Sequence, residues 1–157
     1  MVKQHFTQVL SDEAATIAAG QVFASHLLNG LVVFLHGDLG AGKTTFVRGV
    51  LQGLGYLGRV KSPTYTIVEP YSILNKNFYH FDLYRFNDEE EWEEAGFREY
   101  FNEDSICMIE WPEKALSLLP QADMDIELSL YEQGRSIQYL ANTAKAVQLL
   151  SYLEKNG

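Results

Sequence analysis

The chain has 157 residues, 46% of them apolar and 21% charged, with 21 acidic against 12 basic residues and a formal net charge of −9. These proportions are those of a folded globular protein and exclude general disorder; residues 1–157 read as one domain. The longest apolar run, Leu31–Leu35, is far short of the roughly 20 residues that span a bilayer, and the opening MVKQHFTQVLSDEA lacks the pattern of a secretory signal.

A lone cysteine, Cys107, rules out an internal disulfide. A reducing compartment, most simply the cytoplasm, is expected. Between Asp88 and Asp104, nine carboxylates stand against Arg98 alone, so this segment carries most of the negative charge. A chain that neutralises phosphates by itself needs a basic surface, so stable direct binding of nucleic acid is not expected. The acidic segment reads either as a solvated helix face or as a docking face for a basic protein.

In chain order, Phe6–Leu10 reads as a short strand. Ser11 is a candidate N-cap for a helix whose apolar positions run from Ala14 to Leu27 and which Asn29-Gly30 ends. Leu31–Leu35 reads as a buried strand and Lys43–Leu54 as a helix. Tyr65–Leu74 and Asn77–Tyr84 read as strands around Asn75-Lys76. Asn87–Ala95 reads as an acidic helix with Asn87 and Glu90 at capping-box spacing. Ser105–Glu110 is a second buried strand, and Pro112 is placed to open a short helix. Asp125–Tyr131 and Ser136–Ala141 form a hairpin around residues 132–135, and Ala144–Leu153 is a closing helix. Strands interleaved with helices, plus hairpins, predict an α/β protein: a three-layer sandwich like that of P-loop NTPases, with a mixed, partly parallel sheet.

The strongest chemical signal is Gly37-Asp38-Leu39-Gly40-Ala41-Gly42-Lys43-Thr44, which fits G-x-x-x-x-G-K-[ST] without a mismatch. At average residue frequencies a chain of this length matches by chance on the order of half a percent of the time, and here the motif also sits between an apolar strand and a helix. Its glycines let successive backbone amides face one anion, and the helix start adds its positive dipole end. Lys43 is placed to reach β- and γ-phosphates, and the Thr44 hydroxyl to ligate magnesium.

Such a loop needs carboxylates. Ile106-Cys107-Met108-Ile109-Glu110 is an apolar strand ending in an acid, and Phe78-Tyr79-His80-Phe81-Asp82 is a similar run that contains a histidine. Alternation puts His80, Asp82 and Tyr84 on one face. Asp82 and Glu110 are candidate magnesium residues. His80 reads as an orienting or packing residue rather than a general base, and His36 and Cys107 as structural. Ser62-Pro63-Thr64-Tyr65 is placed like a loop that senses a γ-phosphate, although a plain proline turn has the same pattern. Asn75-Lys76-Asn77-Phe78 lacks the acid of a guanine reader, which leaves adenine as the default base. Arg85 reads as pairing with an acidic neighbour or as an arginine finger in cis.

GDLGAGKTT (37–45), SPTYT (62–66), HFDLYR (80–85) and IEWPEK (109–114), with LSDEAAT (10–16) and GR (134–135), together resemble the TsaE family. These are bacterial ATPases that support threonylcarbamoylation of adenosine 37 in tRNAs reading ANN codons. The resemblance implies a magnesium-dependent ATPase, weak alone, that works with the TsaB–TsaD pair. It implies phosphate contacts from Asp38, Gly40, Ala41, Gly42, Lys43, Thr44 and Thr45, and magnesium at Thr44, Glu110 and Asp82. Lys43, Asp82 and Glu110 would be catalytic, with Asp82 close to the γ-phosphate or its attacking water. Ser62 and Thr64 would form a switch-like loop, Trp111 would lie beneath the site or meet the partner, and Ser11 with Arg135 would border the adenine. A small-molecule kinase and a nucleotide-gated binding module are the competing readings; Arg59, Arg85 and Arg98 are too scattered to read an acceptor phosphate.

Overall fold

A computed structural model describes residues 4–156. Its strands form one seven-stranded sheet in the order β1-β7-β6-β2-β5-β4-β3, with β1 Gln4–Leu10, β2 Val32–His36, β3 Val68–Ile73, β4 Lys76–Asp82, β5 Ser105–Glu110, β6 Met124–Tyr131 and β7 Gly134–Ala141. β2 runs parallel to both β5 and β6, and β4 runs parallel to β5, whereas β1–β7, β6–β7 and β3–β4 are antiparallel. The α/β, mixed-sheet expectation is met.

The two strands with unbroken apolar runs are the central parallel ones, because both of their faces are covered. Along β2, Val33 and Leu35 join the core under α1 (Glu13–Ala24), α2 (Lys43–Gly53) and α4 (Ala144–Asn156), while Phe34 joins a second core on the opposite face. That second layer is α3 (Glu89–Glu94) with 3-10 segments at Phe97–Tyr100 and Pro112–Leu118. Fully buried Trp92 anchors α3 there, stacked on Phe101, edge-on to Phe97 and tilted against Phe81. The carboxylates of α3 all stay exposed, as either reading of the acidic segment requires. Cys107 is buried in this core, and burial pushes its thiol up to about 12.

Several local expectations need correction. The N-cap of α1 is Asp12, not Ser11: its Oδ1 accepts from Ala15 N–H at 2.8 Å. The helix ends at Ala24, and Leu27 is buried from the loop that follows. The acidic helix is likewise capped by Asp88 rather than Asn87. The strand expected from Tyr65 starts only at Val68, because the Ile67 amide donates to the Pro63 carbonyl and Ile67 takes φ 71°. The β3–β4 turn is Leu74-Asn75, both with positive φ as a two-residue hairpin of this hand demands, one residue earlier than expected. β4 stops at Asp82, where the Tyr84 amide turns back to donate to Asp82 Oδ1, so Tyr84 does not continue the strand face of His80 and Asp82.

Register levels the ends of the three parallel strands. Leu35 pairs with Glu110, and Glu110 pairs with Asp82. On the face toward α1 and α2, β5 reads Ile106, Met108, Glu110 and β4 reads Phe78, His80, Asp82. β5 is apolar inside the core and turns polar at its carboxyl end, and β4 does the same except for buried His80. Both acids therefore emerge beside the loop that follows β2, the usual place for a ligand crevice in such sheets.

Candidate functional site

The loop at residues 37–42 joins β2 to α2 in a conformation that only glycine adopts freely: Gly37, Gly40 and Gly42 have φ of 143°, 81° and 106°. Against it lies a cavity of about 460 Å³. Gly40, Gly42, Lys43, Thr44 and Thr45 form one wall; Ser62, Thr64, Asp82, Glu110 and Trp111 form another; Asp12, Thr16, Gln133, Gly134 and Arg135 close the far side.

Lys43 is 5% exposed. Its ammonium donates to the Gly37 carbonyl and sits 3.8 Å from the centroid of the Trp111 ring. Burial lowers its pKa, and Glu110 and Asp82 oppose that shift. Thr44 Oγ1 donates to Glu110 Oε2 at 3.0 Å, and His80 Nε2 reaches the same oxygen at 2.6 Å. Asp82 is 7% exposed; burial raises its pKa, and the Tyr84 amide works against that rise. Ser62 Oγ and Thr64 Oγ1 are 2.7 Å apart, and Thr64 makes a long, weak 3.5 Å contact to Asp82 Oδ2.

The converging donors are therefore the hydroxyl of Thr44 and the carboxylates of Glu110 and Asp82. This all-oxygen set fits a hard cation of the magnesium type. Among the described residues no group of three or more His, Cys, Asp or Glu gathers to hold a metal ion, so a cation here needs phosphate oxygens and water to complete its shell. The chemistry open to such a site is phosphate binding and phosphoryl transfer.

Of the residues expected at the site, Ser11, Asp38 and Ala41 do not line the cavity. Ser11 borders a separate groove with Phe6, Val9 and Tyr139, and Asp38 opens onto a neighbouring hollow with Glu113 and Glu127. Ala41 is buried, and its carbonyl accepts from Arg135 Nε at 3.0 Å. Arg135 also donates through Nη2 to Gly40 O at 2.9 Å and through Nη1 to Gly134 O at 3.0 Å. Two of these bonds brace the loop, and the flat face of the guanidinium, with one further N–H on each of Nη1 and Nη2, is left for a nucleotide. Among the described residues Arg85 has no carboxylate partner; it lies over the Tyr65 ring at 4.9 Å, outside the cavity wall. Asp12, Thr16 and Gln133 line the cavity unforeseen. Asp12 and Thr16 sit within the quoted LSDEAAT block, but nothing local marks Gln133, a hairpin-turn residue.

His36 is indeed structural. Its Nε2 lies 2.7 Å from Asp125 Oδ1, while Asn142 Nδ2 donates to Asp125 Oδ2 at 2.8 Å. The hydrogen bond to Asp125 raises the His36 pKa above 6.5; burial opposes it, and the charges of Asp125, Glu113 and Glu127 add to it. The imidazolium is thus favoured in the folded state. Its stabilisation is fully present below pH 6.5 and is lost as pH rises through the folded value. A His36 Cε1–H NMR titration should show a midpoint above 6.5, and the matching fall in Tm with pH should vanish in His36→Gln. A midpoint at or below 6.5 would contradict the pairing.

The family model described as "Threonylcarbamoyl adenosine biosynthesis protein TsaE" matches residues 10–137. A tRNA threonylcarbamoyladenosine biosynthesis protein TsaE from Haemophilus influenzae is 48% identical over 153 residues, covering 94% of this chain and 97% of the relative. The protein of the same name from Bacillus subtilis is 41% identical over 111 residues, 71% of this chain and 69% of its own length. The crystal structure of Bacillus subtilis YdiB superposes with a TM-score of 0.83 at 28% identity, covering 99% of this chain and 98% of that one. A family match over residues 10–137, together with a relative 48% identical across 94% of this chain, means that the chain belongs to the TsaE family.

Proposed function

We propose that this protein binds and hydrolyses Mg-ATP to serve the threonylcarbamoylation of adenosine 37 in tRNAs reading ANN codons, acting on the TsaB–TsaD pair in the cytoplasm. The observation that carries the reading is the convergence, in one cavity, of Lys43 and Thr44 from an intact phosphate loop with Asp82 and Glu110 from two neighbouring strand ends. The backbone amides of Gly40 and of residues 42–45 cradle the phosphates, the Ala41 amide being held by the Asp38 carbonyl, and the Lys43 ammonium leaves the Gly37 carbonyl for the β- and γ-phosphates. Thr44 and Glu110, with Asp82, supply protein oxygens to the cation. Magnesium, when bound with the triphosphate, neutralises charge on its outer oxygens. Asp82 orients the attacking water, with Thr64 and Ser62 as its neighbours on the switch-like loop.

Charge and architecture support this division of labour. The chain is too acidic to hold tRNA stably by itself, so contact with tRNA falls to the partner. No helix among the described residues is long and apolar enough to cross a membrane. The decisive experiment is the ATPase rate of the purified chain with and without TsaB–TsaD. A low rate alone and a large stimulation are expected; Asp82→Ala should keep ADP affinity and lose the stimulated turnover. Fast phosphoryl transfer to a metabolite by the isolated chain, or no ATP turnover with the partners present, would overturn the reading.

Arg135 should matter for affinity rather than chemistry. Arg135→Ala frees the carbonyls of Gly40 and Ala41 in a glycine-rich loop whose amides must point inward. The expected cost is about 1.4 kcal/mol, or roughly tenfold in the ATP dissociation constant, read by competition with a fluorescent nucleotide. Arg135→Lys should not rescue it, because one ammonium cannot replace the guanidinium fork across two carbonyls. Unchanged affinity in both variants would show that the loop holds its shape without the brace.

A further inference from the structure

His80 is a buried titratable side chain behind the site that the proposed chemistry leaves without a task. It is fully buried in the middle of β4, two residues before Asp82. Nε2 lies 2.6 Å from Glu110 Oε2, and Nδ1 is buried with no partner among the described residues. This asymmetry assigns the proton. An ionised carboxylate only accepts, so the ring nitrogen facing Glu110 Oε2 has to carry the hydrogen, and a hydrogen on Nδ1 would add a second unpartnered buried donor to that of Trp92 Nε1, whereas an unpaired ring acceptor costs less. His80 therefore donates through Nε2–H to Glu110.

Glu110 Oε2 then takes two donors, His80 Nε2 and Thr44 Oγ1. A carboxylate with one oxygen so fixed cannot swing about its terminal torsion, which is otherwise soft. Its other oxygen, Oε1, accepts nothing from the described residues and is left to the cavity that Glu110 lines. We propose that His80 is a positioning residue: by tying down Oε2 it orients Oε1 toward the cation and the γ-phosphate side, and so sets metal affinity and turnover in the nucleotide complex while leaving metal-free nucleotide binding alone. The inference rests on the Mg-ATP reading of the site. It extends that reading to a residue that does not line the cavity and acts only through Glu110.

Two kinds of measurement test it. In the unaltered protein without nucleotide or metal, a long-range 1H–15N spectrum reads the tautomer directly. The Nε2–H form is expected, and an Nδ1–H form would overturn the proposal whatever the ATPase does. In variants, Mn2+ affinity of the ADP complex is read by electron paramagnetic resonance, beside metal-free ADP affinity by calorimetry and stimulated kcat and KM. His80→Asn, whose amide is too short to reach Oε2, should weaken Mn2+ roughly tenfold, as loss of an outer-shell partner does. It should lower kcat by a similar factor and leave KM and metal-free ADP binding near normal. His80→Gln carries its amide nitrogen close to the Nε2 position and should restore both to within a few-fold. Failure of Gln to rescue, or an equal loss of metal-free ADP affinity, would show that His80 is only a packing residue. An unaltered protein that binds no Mn2+ with ADP refutes the nucleotide reading instead, and the tautomer result stands apart from it.

Discussion

Lys43→Ala is expected to abolish useful binding of ATP while leaving the protein folded. Among the described residues, Lys43 and Arg135 are the basic side chains that line the cavity, and three of the donors of Arg135 are engaged with carbonyls. Glu110 and Asp82 face it, so the substitution leaves two carboxylates uncompensated where an anionic triphosphate has to sit. Charge-assisted hydrogen bonds of this kind are each worth about 1.5–3 kcal/mol. A lysine bridging two phosphates should therefore change the ATP dissociation constant by about 100-fold, and stimulated turnover by about 1,000-fold, because charge on the outer oxygens grows toward the transition state. ADP should lose less than ATP, since it keeps the contacts to the loop amides. The fold should survive with some loss of stability: the direct partners of the ammonium are one carbonyl and the face of Trp111, and removing a buried cation removes its desolvation cost, but Glu110 and Asp82 lose its charge. Calorimetric titration with both nucleotides, beside a melting curve, checks all of these points. Wild-type ATP affinity in Lys43→Ala would mean that the cavity holds something other than a triphosphate.

What the chain discloses by itself divides along a physical line. Signals carried by adjacent residues are legible: the glycine loop, the apolar runs of β2 and β5, and the acids that end β4 and β5. Each is decided locally, by backbone sterics or by burial on both faces. Choices between neighbours are less so. Ser11 and Asp12 are both good caps, and what selects Asp12 is that Leu10 is still paired with Arg135 across the sheet. Residues 65–67 have the composition of a strand, but the bond from the Ile67 amide back to Pro63 folds them into a turn. Least legible are contacts made by non-local topology. Arg135 braces the phosphate loop only because β7 crosses beside it, and Gly134 permits that approach: a Cβ there would stand 2.1 Å from the Leu10 carbonyl. The family resemblance placed Arg135 near the nucleotide, but only the fold shows that it grips the loop. Trp111, already flagged by its block, takes a left-handed conformation at φ 58° that no propensity would suggest and that turns its ring under Lys43.

The largest effect on stability should come from a glycine far from the chemistry. α1 and α2 touch backbone to backbone: a Cβ on Gly49 would stand 2.3 Å from the Ile17 carbonyl oxygen, and one on Gly20 would stand 2.4 Å from the Phe46 carbonyl oxygen. Gly53, one turn after Gly49 on the same face, meets Ala24 Cβ and Gln21 Cα at 2.8 and 2.9 Å. These obstacles are mostly main chain and cannot rotate away, so a side chain at Gly49 must push the two helices apart. Alanine gains about 1 kcal/mol of helix propensity over glycine but should lose about 3 kcal/mol to overpacking, a net cost near 2 kcal/mol. Gly49→Leu should cost about 4 kcal/mol or more, lowering Tm by about 10 °C for a chain of this size. Gly20→Ala opens the same contact from the other side. Once one substitution has separated the helices the second costs less, and the double variant should lose less than the sum of the singles. Because Lys43 and Thr44 open α2, folded Gly49→Ala should also bind ATP more weakly than the unaltered protein. A Tm for Gly49→Ala equal to or above that of the unaltered chain would mean that propensity outweighs the contact, and that the close approach of α1 and α2 contributes nothing to holding the phosphate loop in place.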